Sequence, residues 1–148
     1  MVTRIEAWFD GACEPVNPGG YAGAGALMKI DGEIVWTFAK IVGSGPTMSN
    51  NVAEYAACNE VLSRVATVDG IAQIFGDSKL VVMQLLGHWK VRGGLYLPYY
   101  QQARESFSRV RDRVSLEWIP REENSEADEL SKLALKSAGV EFRIQRTA

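Results

Sequence analysis

From Thr3 to Asp10 apolar and polar residues alternate, with Ile5, Ala7 and Phe9 on one face, and this period of two predicts a first strand. Gly11 to Gly20 is rich in turn formers, chiefly glycine and proline, and is read as a loop. Tyr21 to Ile30 is a second strand. Its small residues Ala22, Gly23, Ala24, Gly25 and Ala26 leave room for another element to pack close. Asp31-Gly32 is the best short hairpin signal in the chain, so a third strand runs from Glu33 to about Val42. These strands form an antiparallel meander.

After the loop Gly43 to Thr47 the spacing becomes helical. Ala53, Ala57, Val61, Leu62 and Val65 predict a helix from about Asn51 to Val68. Ile71 to Phe75 reads as a short strand, Ser78 to Leu86 as a helix and Tyr99 to Arg113 as another. Val114 to Ile119 is a last strand, Ser125 to Ala138 a last helix, and 140–148 a short strand or a tail. No repeat or linker interrupts the pattern, so one domain over 1–148 is expected. Helical crossovers impose parallel pairing and place the fourth strand beside the first. The expected fold is α/β: a five-stranded mixed sheet in the order 3-2-1-4-5, with helices on both faces. Ligands of such sheets bind beyond the strand carboxyl ends where the order reverses, here between strands one and four. Asp10 and Asp77 end those two strands.

Composition changes this picture little. The 148 residues are 47% hydrophobic and 23% charged, as in a globular chain. No apolar run approaches a membrane span, the start is no signal peptide, and no membrane partner is expected. Cys13 and Cys58 cannot build a disulfide framework, which points to buried thiols, a reducing compartment and a cytoplasmic location. A monomer is the default expectation. The net charge of -2 argues weakly against nucleic acid, but its distribution matters more. Lys90, Arg92, Arg104, Arg109, Arg111 and Arg113 form a basic stretch, and Glu122, Glu123, Glu126, Asp128 and Glu129 an acidic one. Such a pair suits phosphates on one side and metals on the other; two solvated helix faces would look the same.

The candidate chemistry lies in Asp10, Glu54, Asp77 and Asp128. Taken singly, three have an ordinary structural explanation. Asn51-x-x-Glu54 and Ser125-x-x-Asp128 read as capping boxes, and Asp77 could cap the helix that starts at Ser78. Asp10 has no such explanation. Four acids at one rim repel one another unless a cation neutralises them, and hard divalent cations prefer oxygen ligands. A two-metal nuclease needs carboxylates of this kind.

The motifs Phe9-Asp10-Gly11, Ser49-Asn50-Asn51-Val52-Ala53-Glu54, Phe75-Gly76-Asp77-Ser78 and Asn124-Ser125-Glu126-Ala127-Asp128-Glu129-Leu130 follow one another over most of the chain. In that order they resemble ribonuclease H of type I. The resemblance implies hydrolysis of the RNA strand of an RNA–DNA hybrid with two Mg²⁺ ions, Mn²⁺ being a possible substitute, and products with 5′-phosphate and 3′-hydroxyl ends. It also implies that Asp10 bridges both ions, with Glu54 and Asp77 on one and Asp128 on the other. Asn17, Asn50 and Asn51 resemble the family's minor-groove contacts, where amides can engage the 2′-hydroxyl that marks RNA. Gly11 would let its backbone approach a ribose. Ser49 resembles a phosphate-pocket hydroxyl. Trp89, Lys90 and Arg92 resemble a channel for the DNA strand, with a core tryptophan as the rival reading.

Two departures stand out. Only about a dozen residues separate Leu86 from Tyr99, so the basic protrusion of many members is absent or minimal. The loop Pro120 to Asn124 lacks the histidine that members carry before the last aspartate. His88, the single histidine, belongs to another segment and is not expected in catalysis. Arg121 is a weak candidate for that loop's role, holding a phosphate. Rival functions are a DNA-acting nuclease of the same superfamily, a non-catalytic hybrid-binding module, and the actin and sugar-kinase class, which needs two such domains.

Overall fold

The computed structural model describes residues 3–142. Of the segment expected as a strand or tail, 143–148 lie outside the described residues, and 140–142 are neither helix nor strand. The elements run β1 (Ile5–Glu14), β2 (Tyr21–Ile30), β3 (Glu33–Ser44), α1 (Asn50–Val65), β4 (Ala72–Gly76), α2 (Lys79–Leu85), α3 (Leu97–Val110), β5 (Val114–Trp118) and α4 (Ser125–Ser137). A 3₁₀ turn at Arg121–Glu123 precedes α4. The sheet order is β3-β2-β1-β4-β5, as expected, with β4 paired in parallel to β1 and β5 in parallel to β4. Among the described residues no helix is long and apolar enough to cross a membrane.

Among the boundaries that differ from the periodicity, four have a clear local reason. β1 continues through Gly11 to Glu14, because these residues pair with Ala24 to Tyr21 of β2, and the loop shrinks accordingly. β3 likewise continues through Gly43 and Ser44, opposite Ala22 and Tyr21. α1 stops at Val65 rather than Val68. There the Thr67 hydroxyl donates to the Arg64 carbonyl at 2.7 Å, a local bond that competes with further helix. α3 begins at Leu97, ahead of Tyr99, since Pro98 fits a first turn where no N–H is required.

Ile5, Ala7 and Phe9 of β1 pack with Ile74 of β4 and with Tyr55, Val61, Leu62 and Val65 of α1 in the main core. The opposite face belongs to α4, and glycine sets how near it comes. A Cβ on Gly25 would meet the backbone nitrogen of Ser131 and stand 2.5 Å from the carbonyl oxygen of Ala127. The small-residue run in β2 is therefore the seat of the last helix.

Gly25→Val should push α4 off the sheet and cost about 1–3 kcal/mol, the usual range for overpacking. A thermal melt reads this directly; an unchanged midpoint would show that the close approach is not required.

Candidate active site

Asp10 lies opposite Gly25 in the β1–β2 register, and directly opposed residues share a face, so Asp10 is on the side that α4 covers. It is 5% exposed. Glu54 arrives from α1. A side chain at Gly11 would collide with the α1 backbone at Ala53 and Glu54, so its absence lets the helix lie against β1 and sets Glu54 beside Asp10. The Gly11 backbone N–H near both carboxyl groups favours their charged forms. The space its missing side chain leaves is filled by α1, while Gly11 itself lines the cleft beside the carboxylates.

Asp77 follows β4 and is anchored from two directions. Asn124 Nδ2 donates to Asp77 Oδ2 at 3.3 Å and to the Phe9 carbonyl at 2.9 Å, tying Asp77 to β1. Trp118 Nε1 donates to the Asp77 carbonyl at 3.0 Å. The result is a cluster in which one oxygen from each of Asp10, Glu54 and Asp77 lies within 4.8 Å of the others.

The capping explanations fail for all three residues that had one. Ser49 caps α1, accepting from the Val52 N–H at 3.2 Å, and Ser78 caps α2, accepting from the Val81 N–H at 3.2 Å. Asn124 stands at the start of α4 but makes no side-chain capping bond. Asp128 lines the same cleft as the cluster without belonging to it. Its carboxylate is held by Lys132 at 2.8 Å, with Arg121 at 3.9 Å.

Burial dominates the electrostatics. It pushes the Asp10 carboxyl from its ordinary 3.8 up to about 8, helped by repulsion from Asp77 and opposed by a hydrogen bond with Glu54. Burial, then the Asp10 charge, holds Glu54 well above the carboxylate range. Asp77 is raised by burial as well, against the Asn124 hydrogen bond and the Arg121 charge. In the ion-free cluster Glu54 thus favours its protonated form, and its Oε2 is buried with no hydrogen-bond partner. An orphaned buried carboxylate oxygen is costly, and three hard oxygens around one point are what a divalent cation takes as ligands. The residues fit such an ion.

Of the other expected contacts, Gly11, Asn50 and Arg121 line the cleft. Asn50 Oδ1 accepts the Cys13 N–H at 2.8 Å, and Asn17 Oδ1 accepts the Asn50 N–H at 3.0 Å, so both asparagines brace the loop against α1. Asn17, Ser49, Asn51, Trp89, Lys90 and Arg92 lie outside the cleft lining. Trp89 is 47% exposed, which removes the core reading of that residue. Its segment hangs from the buried Gln84, whose amide donates to the Lys90 carbonyl at 3.3 Å and to Tyr96 Oη at 3.0 Å. His88 is exposed. The basic stretch after it divides: Arg104, Arg109 and Arg111 are exposed, whereas Arg113 ties the carbonyls of Gly70 and Val65. Both cysteines are buried, and no disulfide joins them. Sequence reasoning missed Lys132 and Lys136 in the cleft wall and the anchoring role of Asn124. Their spacing, four and eight residues beyond Asp128, was the available signal for the lysines.

Asp10 binds its proton more tightly in the fold than in the unfolded chain. The stability this lends is complete below pH 3.8 and lost as pH rises through about 8. Without divalent ions, wild type should lose stability over that window relative to Asp10→Asn, which cannot ionise, and be the less stable of the two at pH 8. Calorimetric melts in chelator test this; a wild type that keeps pace with the variant throughout would refute the burial argument.

Comparison with known proteins places this geometry. A family described as "Reverse transcriptase-like" matches residues 8–134. The bifunctional protein Rv2228c of Mycobacterium tuberculosis is 37% identical over 117 residues, 72% of this chain and 31% of its own length, so the chain spans about a third of that relative. The structure of the N-terminal RNase H domain of that protein has TM-score 0.80 at 33% identity, covering 93% of this chain and 96% of the other. LC11-RNase H1, solved in complex with an RNA/DNA hybrid, has TM-score 0.79 at 27% identity, over 90% and 98%. The sheet order and the sequence similarity thus lead to one conclusion: this chain is a ribonuclease H-like domain and belongs to the ribonuclease H family of nucleases.

Proposed function

We propose that this domain hydrolyses the RNA strand of RNA–DNA hybrids with divalent cations, Mg²⁺ first, held by Asp10, Glu54 and Asp77 and completed by Asp128. The observation that carries the proposal is the three-carboxylate cluster, Asp10 and Glu54 buried and Asp77 half-buried, with its orphaned Glu54 oxygen. Ions bound there would lower the pKa of an attacking water and offset the charge that develops on the leaving 3′ oxygen. The protein's part is placement. Gly11 and the α1 backbone fix Glu54 against Asp10, and Asn124 fixes Asp77. Asp128, partly exposed and held by lysine, sits on the solvent side of the cluster. A water oxygen attacks phosphorus as the P–O3′ bond breaks, leaving 5′-phosphate and 3′-hydroxyl ends.

Arg121 supports the reading in the position where the family carries histidine. A guanidinium stays protonated at working pH, so Arg121 cannot shuttle a proton. It can hold a phosphate oxygen by charge-assisted hydrogen bonds from the cleft wall. Recognition of RNA falls to Asn50. Its carbonyl oxygen is occupied by the Cys13 N–H, which leaves the amide N–H groups to donate to a 2′-hydroxyl. Ser49, whose oxygen accepts from Val52, retains its O–H for a phosphate, and exposed Asn17 and Asn51 stand nearby as further donors. Trp89, Lys90 and Arg92 offer an exposed aromatic and two cations to the DNA strand.

A hybrid labelled on either strand should be cut in the RNA only and only with Mg²⁺ or Mn²⁺. Asp10→Asn should lower the rate at least about a hundredfold. Arg121→Gln should lower the rate without moving the pH profile. Cleavage of the DNA strand, or full activity in Asp10→Asn, would overturn the assignment.

A further inference from the structure

The cleft does not end at the carboxylates. It continues along α4, where Lys132 and Lys136 line its wall, and past the helix to Val140. The two lysines are four residues apart on one helix, so they share a face and are displaced by about 6 Å along the axis. That displacement is close to the step from one phosphate to the next on a nucleic-acid strand.

The wall that carries them is rigid. Gly23 and Gly25 let the α4 backbone lie on β2, so the lysines stand at a fixed position relative to Asp10 on the neighbouring strand. Their present partners differ. Lys132 is bound to Asp128 at 2.8 Å, whereas Lys136 is exposed and has no ion-pair partner among the described residues. Glu14 and Glu141 line the same cleft, so a phosphate backbone there would meet negative charge that cations in the wall must offset. Neither lysine makes a tie of much weight to the fold: Lys136 has no ion-pair partner among the described residues, and Lys132 makes a partly exposed pair within one helix, a type worth little to stability.

We propose that Lys132 and Lys136 form a phosphate-binding row that grips the strand to be cut, on the stretch adjoining the reacting linkage. This rests on the hybrid-nuclease reading above, because it places that strand in the carboxylate cleft. The row supplies affinity and alignment, not base readout, since ammonium groups contact phosphates without reading sequence.

The test is the salt dependence of hybrid binding by fluorescence anisotropy, in chelator so that nothing is cut. Each lost phosphate contact should flatten the plot of log affinity against log salt by about 0.9. Lys136→Gln should show that change, weaken binding roughly threefold or more at low salt, and leave the melting temperature at the wild-type value. The double variant Lys132→Gln, Lys136→Gln should flatten the plot by about 1.8. Lys40→Gln, on edge strand β3, should match wild type. A wild-type slope in Lys136→Gln would overturn the row while cleavage of the hybrid by wild type with Mg²⁺ still stood. A wild type that neither binds nor cuts the hybrid would overturn the nuclease reading, and the row with it.

Discussion

The structure is organised around carboxylates that are both buried and close together. Burial alone disfavours their charged forms, and proximity adds repulsion, so the ion-free cluster holds protons it would not hold in water. A cation removes both penalties at once. Every other feature of the site is understandable as a means of keeping these groups from escaping to solvent or relaxing apart.

Two close backbone approaches do most of that work. α1 reaches β1 because residue 11 has no side chain, and α4 reaches β2 because residues 23 and 25 have none. Both helices are thereby locked onto adjacent strands of the meander, and each delivers one acid, Glu54 from α1 and Asp128 from α4. Asn124 joins the third element by bridging the ends of β1 and β4. The sheet's switch point is thus a place where backbone packing, not side-chain flexibility, sets the distances between charges. The resulting asymmetry has chemical meaning: Asp10 and Glu54 are enclosed, while Asp77 and Asp128 are half-buried and each is anchored by its own partner, Asn124 and Lys132.

Much of this was legible in one dimension. Alternation in β1 and the hairpin signal at Asp31-Gly32 set the meander, and the crossover rules then placed Asp10 beside Asp77. Local motif reading did less well. Asn51-x-x-Glu54 looks like a capping box, but α1 starts two residues earlier than that box requires, with Ser49 as its cap and Val52 in the third position, which leaves Glu54 too far along the helix to reach back. Gly11 announced a close approach without saying to what. Trp89 could be core or surface until burial was known, because aromatic residues serve both. Lys132 and Lys136 share a face with Asp128 by their spacing, but that this face borders the cleft follows from the packing of Gly23 and Gly25 against α4. Asn124 was visible within a motif, but its bonds to Phe9 and Asp77 span chain separations that no local spacing reveals.

The central claim is that the enclosed acids hold protons which a divalent ion displaces. Isothermal titration of Mg²⁺ at neutral pH, repeated in buffers of different ionisation enthalpy, counts the protons released on binding. The account requires a saturable site with net proton release in wild type, and loss of that site in Glu54→Gln. Binding without proton release, or an isotherm unchanged by Glu54→Gln, would contradict it.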